Sequence, residues 1–327
     1  MDIRRKIKFF ILTHSNFGNI CRYIYTCFFK RERLERNVSF GKINNKKVIY
    51  IIRPNAENDI QGLMSLFIQV MRKIDYANRN DYIPYVDFKN YLTQYYDGIN
   101  NVWEYFFLQP NSLEYSEVYK YKNIILSGKK LLNGEDDSLY KDTIFYDEKK
   151  CEKCHNLITK NISFSNRVEE LVLNELKNID VRNCIGVYAR GTDYTKLKPV
   201  GEHIQPPIDM IINSMHVFHK KYPEMDFFIV TEDDNIYQRI KKEFPKNIKI
   251  VSFDKFIKNY NFKGFLSESK LLDSNLEIRG LDYLVKLIIL AKCECLISSI
   301  TMGSIATYAM NGGKYKEKKI FNLGLYK

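Results

Sequence analysis

The chain has 327 residues, enough for two domains of ordinary size, each with its own core. At 45% hydrophobic and 28% charged residues it is neither a disordered tail nor a polytopic membrane protein, since no apolar run approaches the roughly 20 residues a membrane span needs. The formal net charge is +12, from 51 basic and 39 acidic side chains, and the excess is uneven.

Residues 1–36 hold nine basic side chains (Arg4, Arg5, Lys6, Lys8, Arg22, Lys30, Arg31, Arg33 and Arg36) against three acids (Asp2, Glu32 and Glu35). Ile3, Ile7 and Ile11, and after Asn16-Phe17-Gly18 the set Ile20, Ile24 and Phe28, repeat every four residues, which predicts two amphipathic helices. Such an arm either lies on an anionic membrane leaflet or packs on the globular body, and both readings fit the spacing. The apolar run Phe9 to Leu12 is too short for a secretory signal and no small-residue cleavage site follows, so a cytoplasmic protein is expected, with the arm as a peripheral contact to the inner face of the membrane. Outside the arm the basic excess is diffuse, in a chain rich in Lys, Asn, Ile and Tyr. It carries no recognised nucleic-acid motif, and no nucleic-acid partner is predicted.

From Lys46 onward short β-rich runs alternate with longer helical ones. Val48 to Ile52 reads as a buried strand, Ile60 to Ala77 as a helix with Leu63, Leu66, Phe67, Val70, Met71 and Ile74 on one face, and Asp81–Phe88 and Asn123–Leu126 as further strands. Residues 128–165 are polar and weakly periodic, which predicts a long surface loop region. Within it Cys151-Glu152-Lys153-Cys154-His155 matches both a haem-attachment pattern and half of a zinc site. Haem attachment requires export, and no second ligand pair completes a zinc site, so a charged loop with incidental cysteines is expected and neither metal nor cofactor is predicted. The seven cysteines form an odd set without framework spacing, as for reduced thiols.

A helix over Val168–Leu176 leads into a second alternation. Its predicted strands are Cys184–Ala189, Asp226–Thr231, Ile248–Ser252, Cys295–Ser298 and Lys319–Leu323. Its predicted helices are Pro207–His219, Asn235–Phe244, Glu277–Lys292 and Gly303–Met310. The expected class is α/β, with parallel sheets covered by helices, in a first domain over 37–180 and a second over 181–327. Ligands of open α/β sheets bind beyond the carboxyl ends of the strands, so three strand ends become candidates. At the first, Arg190 leaves a buried strand into Gly191 and Asp193; it either forks onto phosphate oxygens or pairs with Asp193 to staple the loop. At the second, Thr231-Glu232-Asp233-Asp234 begins a helix, where the acids either cap it or serve a metal, ribose or sugar hydroxyl. At the third, Ser298, Ser299, Thr301 and Ser304 run into a helix N-terminus around Gly303, a phosphate cradle or a set of caps. Three such ends on one sheet edge suit a nucleotide diphosphate, and the Walker loop and Gly-x-Gly-x-x-Gly turn are both absent from the sequence.

Gly186-Val187-Tyr188-Ala189-Arg190-Gly191-Thr192-Asp193, with His203 and Pro206-Pro207 following, resembles the His-x-Arg-(Arg/Gly)-Thr-Asp motif of fucosyltransferases, a superfamily that includes α1,6-, nodulation-factor and protein O-fucosyltransferases. Asp226 to Asp233 is similar to that family's strand ending in Thr-Asp-Asp, and Leu284 to Ser304 to its final helix, Cys-(Asp/Glu) strand and Ser-rich turn. In the first half the likeness is to bacterial relatives, at Gln61-Gly62-Leu63 and at Trp103-Glu104-Tyr105-Phe106-Phe107 with Gln109-Pro110. The resemblance implies a GT-B architecture of two Rossmann-like domains facing a cleft, and metal-independent, inverting transfer of fucose from GDP-fucose to a bacterial surface glycan or a lipid-linked glycan. By position Arg190 would hold the β-phosphate, with Gly191, Thr301, Gly303 and Ser304 adding donors, and Tyr188, Glu232 and Asp233 completing the donor site. The motif His is Tyr188 here, and the family's guanine-reading Asp falls at Lys286, with Asp282 one turn earlier. For the general base that takes the acceptor proton, Glu202 is the first candidate, Asp193 the second and His203 the third, and Glu57 and Asp59 stay open.

Overall fold

The computed structural model describes residues 33–44, 46–56, 61–129, 138–266 and 275–327. Most of the basic arm, and with it both predicted amphipathic helices, lies outside the described residues, as do Glu57 and Asp59. The chain divides into two compact units, residues 1–141 with 156–165 and residues 142–155 with 166–327. Residues 142–155 and 166–180, expected with the first domain, therefore fold with the second.

In the first unit, β1 (Arg36–Val38), β2 (Ile49–Ile52), β3 (Ile83–Val86) and β4 (Ile124–Leu126) form a sheet of order β1-β4-β2-β3. β2 runs parallel to β3 and β4, while β1 joins the edge antiparallel. All four residues of β2 are fully buried, as a run of Ile and Tyr in a central parallel strand requires. Helix α1 (Leu63–Arg79) lays its predicted apolar face inward and continues two residues past the predicted end at Ala77. Lys73 in that face is fully buried and donates to the Arg53 carbonyl and Asn55 Oδ1, tying α1 to the loop after β2. Gln109 exchanges two hydrogen bonds with the backbone of Val86 and donates to Glu104 (2.7 Å), so the Trp103 to Pro110 segment anchors the end of β3. A short helix α2 (Tyr115–Val118) precedes β4.

The region expected as surface loop contains helix α3 (Glu148–Asn161), with Cys151 and Cys154 buried and Ile158 7% exposed. The correction has a simple cause. Lys and Glu are good helix formers, and a face only three residues wide, at i, i+3 and i+7, is a weak periodic signal. Helix α4 (Asn166–Leu176) follows.

In the second unit, β5 (Cys184–Tyr188), β6 (Asp226–Val230), β7 (Ile248–Lys249), β8 (Cys295–Ser299) and β9 (Glu317–Phe321) form a wholly parallel sheet of order β7-β6-β5-β8-β9. β7 is shorter than expected and β9 starts two residues earlier. Helices α5 (Thr192–Leu197), α6 (Ile208–Lys221), α7 (Asp234–Glu243), α8 (Leu276–Lys292) and α9 (Met302–Asn311) make the connections. Ile185, Val187, Phe227 and Ile229 from the sheet pack with Ile211, Met215 and Phe218 of α6 and Ile240 of α7 in one buried cluster. The strand order reverses between the neighbours β5 and β8, which makes their carboxyl ends the topological switch point of a doubly wound unit. Among the described residues, no helix is long and apolar enough to cross a membrane.

Candidate functional site

The site begins where β5 stops. The Ala189 amide still donates to the Val230 carbonyl (3.0 Å), and the chain then turns through Arg190 and Gly191 into α5. Arg190 forks onto Asp193, its Nη2 donating to both carboxylate oxygens at 2.9 Å, and its guanidinium lies 5.1 Å from the ring centroid of Tyr194. Arg190 Nε sits 3.6 Å from Glu232 Oε1. Burial works against the Arg190 charge, yet Glu232 and Asp193 outweigh it and hold the guanidinium well above its ordinary pKa.

Asp193 is 1% exposed and its oxygens also accept from the Thr192 hydroxyl and from the Tyr194 and Leu266 amides. The stapling alternative for Arg190 is therefore realised, and Asp193, proposed as a second base, has no lone pair directed to solvent-borne substrate.

The second strand end grips the first. Glu232 Oε1 accepts from the Gly191 amide (3.0 Å) and the Thr192 hydroxyl (2.8 Å), and Asp233 Oδ2 accepts from the Thr192 amide (3.1 Å). Asp233 Oδ1 caps α7 through the Asn235 and Ile236 amides. A Cβ at Gly191 would lie 2.5 Å from Asp233 Oδ2 and 2.7 Å from its Cβ, so this close approach requires glycine. Burial raises the Glu232 pKa, with Arg190 pulling it down.

At the switch point, Thr301 and Ser304 form a reciprocal capping box at the start of α9: the Ser304 amide donates to Thr301 Oγ1 (3.2 Å) and the Thr301 amide to Ser304 Oγ (2.9 Å). Tyr188, in place of the motif His, is 3% exposed. Its hydroxyl lies 3.0 Å from that of Tyr283 on α8 and accepts from Thr301 Oγ1 (3.3 Å). A Cβ at Gly303 would meet the Tyr283 hydroxyl at 2.1 Å and that of Tyr188 at 2.9 Å. Burial, reinforced by Tyr188, pushes the Tyr283 pKa well up, so the Tyr283 hydroxyl keeps its proton. Along this edge Ser299 Oγ, Gln205 Oε1 and His203 Nδ1 are buried polar atoms without a hydrogen-bond partner among the described residues.

Lys286 donates to Asp254 Oδ1 (2.8 Å) in a buried ion pair, while Asp254 Oδ2 has no hydrogen-bond partner among the described residues. Burial pushes the Asp254 pKa up and Lys286 pulls it down. Asp282 is half-buried one turn earlier on α8.

The loop 201–205 is clamped by the segment after β9: the Gly201 amide donates to the Tyr326 carbonyl, the Tyr326 amide to Glu202 and the Ile204 amide to Gly324, each at 2.9 Å. Glu202 is half-buried, and its charge raises the pKa of Tyr194, the ring beside Arg190, after burial has done most of that. His203 Nε2 lies 3.8 Å from Asp142, and burial lowers its pKa against that carboxylate.

A cavity of about 400 Å³ opens on the β6–β7 side of the turn, lined by Thr192, Thr195, Lys196, Asp233, Lys258 and Asn261 among others. Lys258 and Asn261 carried no sequence signal, because their loop follows a two-residue strand and has no periodicity, while Lys196 lies on α5. Arg190 and the Thr301–Ser304 turn do not line this cavity. Among the described residues, no group of three or more His, Cys, Asp or Glu could hold a metal ion. Cys151 and Cys154 are buried, and the ring Nδ1 of His155 lies 3.0 Å from the Ala309 carbonyl.

No protein-family model matches the chain, and no curated protein matches it. Among solved structures it is similar to POFUT1 in complex with GDP, at 9% identity and TM-score 0.51, over 85% of this chain and 99% of that one. NodZ alpha-1,6-fucosyltransferase soaked with GDP-fucose aligns at 14% identity and TM-score 0.49 over 81% and 93% of the two chains. A mutant of FUT1 of Arabidopsis thaliana in complex with GDP aligns at 12% identity and TM-score 0.43 over 97% and 78%. The sheet orders and the POFUT1 match together establish that this chain has the α/β fold of the GT-B fucosyltransferases.

Proposed function

We propose that the chain is an inverting, metal-independent glycosyltransferase that moves a sugar, fucose from GDP-fucose in the first instance, onto a bacterial surface glycan or its lipid-linked precursor. The observation that carries this reading is the Arg190–Asp193 turn at the ligand edge of a sheet whose fold is shared with POFUT1. Arg190 Nε and Nη2 are spent on Asp193, and Nη1 makes no hydrogen bond among the described residues, which leaves it as the donor for a diphosphate oxygen. The α9 N-terminus supplies further N–H groups on the other side of the switch point.

In the reaction, the acceptor hydroxyl oxygen bonds to the anomeric carbon from the face opposite the leaving group, the bond to the diphosphate oxygen breaks, and a carboxylate takes the hydroxyl proton. The negative charge that develops on the diphosphate is met by Arg190 already in place, so little reorganisation is needed in the transition state. Glu202 is the base this reading favours: Asp193 is consumed as the anchor of Arg190, while the Glu202 loop is fixed from outside by Gly324 and Tyr326. The buried Lys286–Asp254 pair favours a second reading, a nucleotide-sugar-binding homologue with altered base selectivity, since Lys286 cannot act as a carboxylate. Residues 1–36 are proposed as the contact to an anionic inner leaflet.

Turnover assays with GDP-fucose and cell-envelope glycan fractions test the first reading. Transfer that Glu202→Gln abolishes while donor binding persists supports it. Donor binding without transfer or donor hydrolysis by the unaltered protein supports the second.

A further inference from the structure

The Tyr188–Tyr283 pair at the end of β5 has one hydrogen more than its neighbours take up. Tyr188 closes β5 and is buried, while Tyr283, on α8, is half-buried. Their hydroxyl oxygens lie 3.0 Å apart, and Thr301 Oγ1 donates to the Tyr188 hydroxyl at 3.3 Å. Thr301 Oγ1 also accepts the Ser304 amide (3.2 Å), so this hydroxyl serves the helix cap as acceptor and Tyr188 as donor. Three hydroxyls carry three hydrogens, and the two contacts between them consume two. One hydrogen is therefore donated outside the trio, and none of the described residues accepts it. Burial decides which phenol holds it. An unmade bond is costly on the buried Tyr188 and cheap on the half-buried Tyr283, so Tyr188 donates to Tyr283 and the Tyr283 O–H points outward.

Gly303 fixes where that hydrogen stands. A Cβ there would collide with the Tyr283 hydroxyl and meet that of Tyr188 at 2.9 Å, so glycine lets both phenols lie against the first turn of α9. The Met302 and Gly303 amides of that turn come before any intrahelical acceptor, and the positive end of the helix dipole lies with them. Two residues before Thr301, the buried Ser299 Oγ has no hydrogen-bond partner among the described residues. Burial and Tyr188 push the Tyr283 pKa well up, so the phenol is a neutral donor at physiological pH. A group docking on this turn meets N–H and O–H hydrogens. That suits a phosphate oxygen better than a sugar hydroxyl, which needs an acceptor for its own hydrogen.

We propose that Tyr283 donates its hydroxyl hydrogen to a diphosphate oxygen seated on the first turn of α9. That the diphosphate belongs to a nucleotide sugar rests on the glycosyltransferase reading; the donor role itself does not.

The test is titration calorimetry of the full chain with inorganic pyrophosphate and with GDP, comparing the unaltered protein with Tyr283→Phe, which keeps the ring and removes the hydroxyl. Loss of one hydrogen bond to a charged oxygen should weaken both ligands about tenfold or more. The urea midpoint of the variant without ligand separates a structural role: a hydroxyl that only packs α9 shifts the midpoint and leaves the pyrophosphate affinity as it was, which overturns the proposal. Equal pyrophosphate affinity at an unchanged midpoint overturns it as well, and so does absence of binding at millimolar pyrophosphate. If GDP binds and Tyr283→Phe changes neither affinity, this inference fails alone. If GDP does not bind while pyrophosphate binds in a manner that depends on Tyr283, the nucleotide-sugar reading fails alone.

Discussion

Arg190 Nη2 lies 2.9 Å from each carboxylate oxygen of Asp193, a forked pair between a strand end and the first turn of the next helix. The fork orients the arginine, and Asp193 is in turn fixed by the Leu266 amide at 2.8 Å. Removing one partner of such a buried pair leaves an uncompensated charge. Asp193→Ala should therefore lose about 3–5 kcal/mol of stability, measured by urea unfolding, and should also lose donor binding because Arg190 is released. A loss below about 1 kcal/mol would place the pair in the class of exposed ion pairs.

The Tyr188–Tyr283–Gly303 cluster makes a coupled prediction. Gly303→Ala inserts a methyl where the Tyr283 hydroxyl stands, 2.1 Å from the new Cβ, and should cost about 1–3 kcal/mol by overpacking. Tyr283→Phe removes that hydroxyl, so the double variant should recover part of the loss. A double-mutant cycle measures the recovery; additive losses would mean that the backbone of α9, rather than the hydroxyl, takes the strain.

Much of this was legible in the sequence, and the limits have physical causes. β5, β6 and β8 are continuous buried runs with chemistry at their ends, so both they and Arg190, Glu232, Asp233 and Thr301 could be read directly. Which of two roles those residues play could not, because Glu232 and Asp233 reach Gly191 and Thr192, and the Leu266 amide reaches Asp193, only when distant segments meet. Helix α3 was missed for its narrow apolar face. The edge strand β9 was misplaced by two residues because Glu317, Lys318 and Lys319 are partly solvated and lack a buried-strand pattern. Lys196 and Lys258 meet across a cavity through tertiary packing alone.

The thiols give an inexpensive check on α3. Burial pushes Cys151 up to about 11 and Cys184 up to about 12, and Cys293 is also raised well above its ordinary value. In native protein a thiol reagent at neutral pH should leave these two and Cys154, Cys293 and Cys295 unmodified until denaturant is added. Rapid native modification of Cys151 or Cys154 would restore the exposed loop.

His203 gives the pH dependence. Burial holds its pKa below the ordinary 6.5, so between those two values the unfolded chain binds the extra proton. Its contribution to stability is present above pH 6.5 and is lost as pH falls through that window. Urea midpoints should fall on acidification below pH 6.5, less steeply in His203→Gln; an unchanged slope in the variant would remove His203 from the account.

The central claim is that this fold binds a nucleotide sugar through Arg190, and the thermal shift with GDP-fucose tests it most directly. A ligand that binds the native state at about 100 times its Kd adds roughly 2.7 kcal/mol of stability. The account predicts a clear rise in Tm with GDP-fucose in the unaltered protein and in Glu202→Gln, and its loss in a folded Arg190→Lys variant. No rise with any GDP or UDP sugar, or an undiminished rise without Arg190, would contradict it.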